Sequence, residues 1–335
     1  MAEERQILVI KLSSLGDVLH ALPAVAELKN QLGAKIHWAV QPEFADLVHC
    51  FSCVDKVIPI PRPTLKKAYI NALRNLRSSG IYEMVVDFQG LIKSGIVART
   101  ACTSRRIGPS FTREGAQIFY TEVTGKKNKN RHAVEECLDI VTHLKLKYPD
   151  EPCFPLSVPD IDIELLAKKL PYRGPLIALA PVSRWESKNW PKEYFAELLK
   201  SLAGNHDARV CLIGGRADRE VADYIISTAG VSALNFCGEH SLIESMGVLS
   251  KCEVLVSNDS GPMHMGAALG TRCVVPFGPT LPERTGPYGK KHTVLRAAGC
   301  TPCHKRVCPR GTLECMRSIT PSMMEDAIFE PAATA

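Results

Sequence analysis

The sequence starts twice in the same way. At Ile7, and again at Leu176, an apolar run long enough for one strand leads into a polar turn and then a helical pattern. In the first half the run Ile7–Leu12 is followed by Ser13-Ser14-Leu15-Gly16-Asp17. Val18, Leu22, Val25 and Leu28 then fall on one helical face. Further strands are predicted at Lys35–Val40, Lys56–Ile60 and Tyr82–Phe88, the last running into Asp87-Phe88-Gln89-Gly90. In the second half Leu176–Ala180 restarts the pattern. It predicts a helix over Glu193–Leu202, strands over Arg209–Ile213, Glu253–Ser257 and Thr271–Phe277, and helices over Leu242–Ser250 and Gly261–Leu269. Strands alternating with helices mean βαβ units and parallel sheets. Prolines punctuate Tyr148–Pro175, where a short helix over Ile161–Leu170 is also predicted. The expectation is an α/β chain of two doubly wound domains, 1–160 and 174–320, with the active site in the cleft they face. The tail, 321–335, is expected to return to the first domain.

Length supports two cores rather than one, at 335 residues. Hydrophobic residues make up 45% and charged residues 23%, which excludes a disordered or collagen-like chain. Apolar runs are too short to span a bilayer, and Met1–Gln6 lacks signal-peptide features, so the expected location is cytoplasmic. The net charge of +6 is partly concentrated: Arg62, Lys66, Lys67, Arg74 and Arg77 occur with no acid among them, and Lys126, Lys127, Lys129 and Arg131 form a second run. Each run taken alone reads as a solvated face; taken functionally, it attracts a phosphorylated lipid surface. Nucleic acid is not expected, because neither run interleaves with aromatics and only 6% of the chain is aromatic.

Three loops carry the chemistry. The strand before Asn258-Asp259-Ser260-Gly261 runs directly into an apolar helix, whose free N–H groups and dipole suit a phosphate. Asp259 and Ser260 also suit simple capping, but the polar cluster stands where a parallel strand ends, which favours a ligand. After the strand Leu176–Ala180 comes Ser183–Lys188, followed by Trp190-Pro191. A lysine there can neutralise a diphosphate leaving group. At the first turn, Ser14 and Gly16 precede Asp17, a carboxylate that serves equally as an N-cap or as a general base. A Gly-x-Gly-x-x-Gly fingerprint and a P-loop are both missing, which argues against nicotinamide enzymes and P-loop nucleotidases.

These stretches together resemble the ADP-heptose:lipopolysaccharide heptosyltransferases of glycosyltransferase family 9. Lys11–Pro23 is similar to the N-terminal signature of that family. Ser183–Lys188 with Trp190-Pro191 is similar to its donor-phosphate loop, and Ser257–His264 and Phe277–Thr280 to its C-terminal motifs. The resemblance spans essentially the whole chain. It implies a GT-B fold, with acceptor on the N-terminal domain and ADP-heptose on the C-terminal one. It also implies inverting transfer of heptose from ADP-L-glycero-D-manno-heptose to the inner core of lipopolysaccharide, onto Kdo or the first heptose. By the same resemblance Asp17 is the base and Lys188 anchors diphosphate and sugar. Ser183, Ser260 and Gly261 hold phosphate, Asp259 binds heptose hydroxyls, and His264 is a donor, core or capping residue. Asp218 or Glu220 approaches the nucleoside. No Asp-x-Asp pair stands at these loops, so no cofactor is expected for the chemistry. The implied partners are the nucleotide sugar, a lipid A-core glycolipid, and the anionic inner face of the inner membrane.

Cys300, Cys303, Cys308 and Cys315 crowd sixteen residues near the end of the chain. Four thiols can bind a structural metal, although the spacing fits neither common zinc nor iron–sulfur patterns. Otherwise they are reduced or partly disulfide-bonded. The alternatives to heptose transfer are a GT-B enzyme using another nucleotide sugar, a related epimerase, and a non-catalytic nucleotide-sugar-binding protein. Asp17 and Lys188 together speak against the last.

Overall fold

The computed structural model describes residues 5–330 except Lys127, Lys129 and Ala298. Two lysines of the second basic run therefore lie outside the described residues. The chain divides into two compact units, 1–157 and 158–335, with the break inside the proline-rich stretch.

The first unit holds six strands: β1 (Gln6–Ile10), β2 (Lys35–Val40), β3 (Lys56–Pro59), β4 (Met84–Asp87), β5 (Arg106–Pro109) and β6 (Glu122–Thr124). They form one parallel sheet in the order β3-β2-β1-β4-β5-β6. Central β1 is buried on both faces, which is why it reads as an unbroken apolar run, Ile7-Leu8-Val9-Ile10. It pairs with both neighbours at once, Val9 opposite Trp38 on one side and Val86 on the other. The helix Leu15–Leu32 buries the predicted face of Val18, Leu22, Val25 and Leu28. It stops at Gly33, whose left-handed φ of 61° costs a glycine little and whose N–H returns to the Lys29 carbonyl.

The second unit repeats the plan with β7 (Leu176–Ala180), β8 (Arg209–Leu212), β9 (Leu234–Asn235), β10 (Val254–Ser257), β11 (Arg272–Phe277) and β12 (Thr293–Arg296). Its parallel order is β12-β11-β10-β7-β8-β9. Counted from the first strand of each unit, the two orders are the same. In both, the winding reverses between the first strand and the fourth: between β1 and β4, and between β7 and β10. Loops leaving the carboxyl ends of those strands diverge there and leave room for a ligand.

The chain's last helix is Pro321–Phe329. Over its described residues it belongs to the core of the second unit, with Met324, Ala327 and Ile328 packed among Phe195, Leu199 and Leu202. His206 of the helix Lys192–His206 stacks on Phe329 and contacts Glu325 at 2.7 Å. The reason is apolar: its inner face completes a core that the helix Lys192–His206 leaves open. Residues 331–335 of the predicted returning tail lie outside the described residues. Upstream, buried Trp190 donates its indole N–H to the Ile319 carbonyl at 2.7 Å, which ties the start of the same segment down. Trp190→Phe keeps a six-membered aromatic ring but removes that donor and the pyrrole half of the buried indole, so it should cost about 1–3 kcal/mol for the lost hydrogen bond and more for the cavity. Urea unfolding of the second unit should show a lower midpoint with an unchanged slope.

Candidate active site

In the second unit the site is assembled by the loops that follow β7 and β10. Asn258, fully buried just after β10, stitches them together. Its Oδ1 accepts from the Trp190 N–H at 3.0 Å and its Nδ2 donates to the Pro181 carbonyl at 2.7 Å. The loop after β7 is thereby held against the end of β10, and its short 3-10 turn, Glu186–Lys188, points the lysine inward. Lys188 Nζ lies 2.6 Å from Asp259 Oδ2, with the side chains only 16% and 5% exposed. Thr280 Oγ1 donates to the same oxygen at 2.6 Å. A desolvated pair of this kind persists only when further hydrogen bonds support it, and Thr280 supplies one.

Ser260 caps the helix Gly261–Leu269 with extended backbone, and Pro262 occupies its first turn. Of the N–H positions a helix start leaves unused, Pro262 removes one. Those of Ser260, Gly261 and Met263 remain, at the positive end of the dipole. Ser260 Oγ stands 3.3 Å from Ser257 Oγ. His264 is half-buried one turn into the helix. Ser183 is engaged with its own loop, its N–H to Asn189 Oδ1 at 2.7 Å and its hydroxyl to the Trp185 carbonyl at 2.9 Å. Asp218 caps the turn after β8 by accepting from the Gly215 N–H at 2.8 Å.

Several participants were not singled out from sequence. Thr280 belongs to a quoted motif, but its contact with Asp259 depends on β10 and β11 lying side by side. Trp185 lies under two cations, Lys188 Nζ at 4.8 Å and the Arg306 guanidinium at 5.9 Å. Arg306 arrives from the cysteine-bearing segment, which is fastened to the loop after β7. Ser187 donates its hydroxyl to the Lys305 carbonyl at 2.5 Å and its N–H to the Arg306 carbonyl at 3.1 Å. The signal for this was weak: two basic residues in a segment that draws notice for its thiols.

The four thiols of the C-terminal cluster influence one another, Cys300, Cys303 and Cys308 all acting on Cys315. Cys300, Cys303, Cys308 and Cys315 are free, and no three of His, Cys, Asp and Glu stand together as metal ligands among the described residues. Cys315 is used in packing. Burial, then its contact with Cys300, pushes its thiol up to about 11. A Cβ at Gly278 would come within 2.6 Å of Cys315 Sγ and 2.8 Å of Met316 Sδ, so the turn after β11 is a glycine for lack of room.

The first unit carries the matching arrangement. Gln89, just after β4, accepts from the N–H groups of Leu12 and Ser13 at 3.0 and 3.1 Å and so fixes the loop after β1. Lys11 is buried and donates to the Phe88 carbonyl at 2.7 Å. Ser14 caps the helix Leu15–Leu32, Gly16 is buried in its first turn, and Asp17 accepts on Oδ2 from the Ser14 N–H at 3.0 Å and the Ser14 hydroxyl at 2.8 Å. Asp17 therefore does cap the turn, while its side chain stays partly exposed. Beneath the loop, burial raises the Asp87 carboxyl above the usual carboxylate range, opposed by hydrogen bonds from Tyr120, Ser94 and the Gln89 and Gly90 N–H groups.

Two Rossmann-like units of identical strand order, one with a lysine, a carboxylate and a helix N-terminus at its switch point, define the GT-B class of glycosyltransferases. Comparison with known proteins narrows this. The profile of glycosyltransferase family 9 (heptosyltransferase) matches residues 70–314. Lipopolysaccharide heptosyltransferase 1 of Pseudomonas aeruginosa is 30% identical over 318 residues, covering 90% of this chain and 87% of that protein. The E. coli heptosyltransferase WaaC solved with ADP superposes with a TM-score of 0.77 at 27% identity, over 97% of this chain and 99% of that one. WaaC solved with ADP-2-deoxy-2-fluoro heptose gives 0.75 at 26%, over the same shares. The chain belongs to glycosyltransferase family 9, the heptosyltransferases.

Removing one partner of the Lys188–Asp259 pair strands the other charge in a desolvated site. Lys188→Ala should destabilise the second unit by about 3 kcal/mol. The double variant with Asp259→Ala should lose less than the sum of the two single losses, measured as a coupling energy in chemical denaturation.

Proposed function

We propose that this chain transfers heptose from ADP-L-glycero-D-manno-heptose to the inner core of lipopolysaccharide, onto Kdo or the first heptose, with inversion. The observation that carries the reading is the buried Lys188–Asp259 pair beside the helix start at Ser260, at the β7/β10 switch point. It agrees with membership of family 9, and with relatives whose names specify heptose transfer and whose solved forms hold ADP or an ADP-heptose analogue.

In this reading the donor diphosphate takes the place that Asp259 holds at Lys188. Lys188 and the N–H groups of Ser260 and Gly261 then face the charge that grows on departing ADP. Ser183 adds a phosphate contact once its hydroxyl turns from the Trp185 carbonyl. Asp259, released from the lysine, receives heptose hydroxyls, and His264 lines the donor side. The first unit supplies the acceptor's side of the reaction. Asp17, oriented by Ser14 in a turn that Gly16 keeps tight, takes the proton from the acceptor hydroxyl as its oxygen attacks the anomeric carbon. One C–O bond forms as the sugar–phosphate bond breaks, the proton goes to Asp17 and the electron pair leaves with ADP. Lysine and helix dipole neutralise the leaving group, so no metal or other cofactor is required. The enzyme works in the cytoplasm, peripherally at the inner face of the inner membrane. No helix among the described residues is long and apolar enough to cross it.

The test is transfer from ADP-heptose to a panel of truncated core glycolipids, followed by mass spectrometry. The wild type should add one heptose, and the productive acceptor names the step. Asp17→Asn should lower kcat by about 10²–10⁴-fold while ADP affinity holds. Loss of ADP binding in Asp17→Asn, or full activity in it, contradicts the assigned role. EDTA should leave the rate unchanged; inhibition reversed by magnesium would count against a metal-free reaction. ADP binding without transfer to any acceptor would point to another sugar or to a binding protein.

A further inference from the structure

The first basic run of the sequence folds as the helix Lys66–Arg77. Its inner face is Tyr69, Ala72, Leu73 and Leu76, packed on the core that includes Val85 and Val97. At about 100° per residue, Lys66, Lys67, Ile70, Arg74 and Arg77 fall within one stripe about 100° wide on the outer side. All five are exposed. Arg62 is neutralised by Glu43, but Lys66, Lys67, Arg74 and Arg77 form no ion pair among the described residues. No acidic residue occurs between Arg62 and Tyr82. Large apolar side chains stand open along the same stretch: Leu65 just before the helix is 59% exposed, Ile70 within the stripe 47%, and Ile81 just after it 81%.

Unpaired cations alone are common on a solvated helix, and isolated exposed isoleucines need no explanation. Their combination along one short stretch, with Ile70 inside the cationic stripe and Leu65 and Ile81 flanking the helix in sequence, is different. A cationic stripe with apolar side chains in its middle and at both ends is the pattern of a helix that lies in the plane of a lipid surface. Its cations meet headgroup phosphates and its apolar side chains enter the acyl boundary. Nucleic acid would satisfy the cations but offers Leu65, Ile70 and Ile81 nothing. We propose that the helix Lys66–Arg77, with Leu65 and Ile81, is the surface by which this chain docks on an anionic phospholipid bilayer. The proposal deepens the peripheral location given above by naming the face that makes the contact. It does not depend on glycosyl transfer.

The experiment is sedimentation of the full chain with vesicles of phosphatidylcholine alone, or of phosphatidylcholine mixed with phosphatidylglycerol. Neither contains donor or acceptor, so the outcome is independent of the catalytic reading. The wild type should bind the mixed vesicles, release as salt rises, and ignore the neutral ones. Each cation removed should weaken binding about fivefold at low salt, so K67Q/R74Q should lose about 25-fold. Ile70→Ser keeps every charge and should also bind more weakly, which separates insertion from simple counter-ion attraction. Circular dichroism checks that both variants keep the wild-type fold. Equal binding to neutral and anionic vesicles, or K67Q/R74Q binding as the wild type does, would overturn the proposal. So would tighter, Ile70-independent binding to a short DNA duplex.

Discussion

Two side-chain carboxamides, Asn258 buried and Gln89 half-buried, hold the working loops in place, one in each unit. Gln89 follows β4 and accepts backbone N–H groups from the loop after β1; Asn258 follows β10 and takes both an N–H and a carbonyl from the loop after β7. Each bridges the strands between which the winding reverses. A parallel sheet leaves its carboxyl-end loops unpaired at that point, and backbone groups buried there must find partners. A side-chain amide satisfies them while leaving the loop's own side chains free to face a ligand. Ser14 and Asp17 depend on the first stitch, Ser183 and Lys188 on the second.

The second unit adds charge to this scaffold. In the proposed function Lys188 and Asp259 serve better as an ion pair than a well-packed apolar pair would, because packing could not be exchanged for a diphosphate. A desolvated pair with Thr280 as its support costs stability to keep, yet it presents a lysine already positioned and already stripped of most of its water. The adjoining helix start adds fixed donors that need no reorganisation. Trp185, between Lys188 and Arg306, couples this site to the cysteine-bearing segment, whose backbone is hydrogen-bonded to Ser187. That segment therefore bears on the loop after β7 through its packing.

How much of this was legible in the sequence follows from how local each determinant is. The strands buried on both faces announce themselves, and Lys35–Val40 and Leu176–Ala180 have the bounds their apolar runs predict. Two of the edge strands do not: Glu122–Thr124 and Leu234–Asn235 are two or three residues of mixed polarity, strands only because β5 and β8 offer them partners. Lys188, Asp259, Ser260 and Asp17 could be found because each sits in a polar turn directly after an apolar run. Gln89 and Thr280 could not be assigned roles, since their partners lie 77 and 21 residues away in sequence. Which core the last helix joins was not legible for a similar reason. Its apolar face was visible, but nothing local says which core it completes.

The central claim is that donor diphosphate binds at the β7/β10 switch point by displacing Asp259 from Lys188. A crystal structure of the chain with ADP tests this most directly. The account predicts phosphate oxygens within hydrogen-bonding distance of Lys188 Nζ and of the Ser260 and Gly261 N–H groups, with the Lys188–Asp259 contact opened. ADP bound elsewhere, or bound with that contact still closed and no phosphate at the helix start, would contradict it.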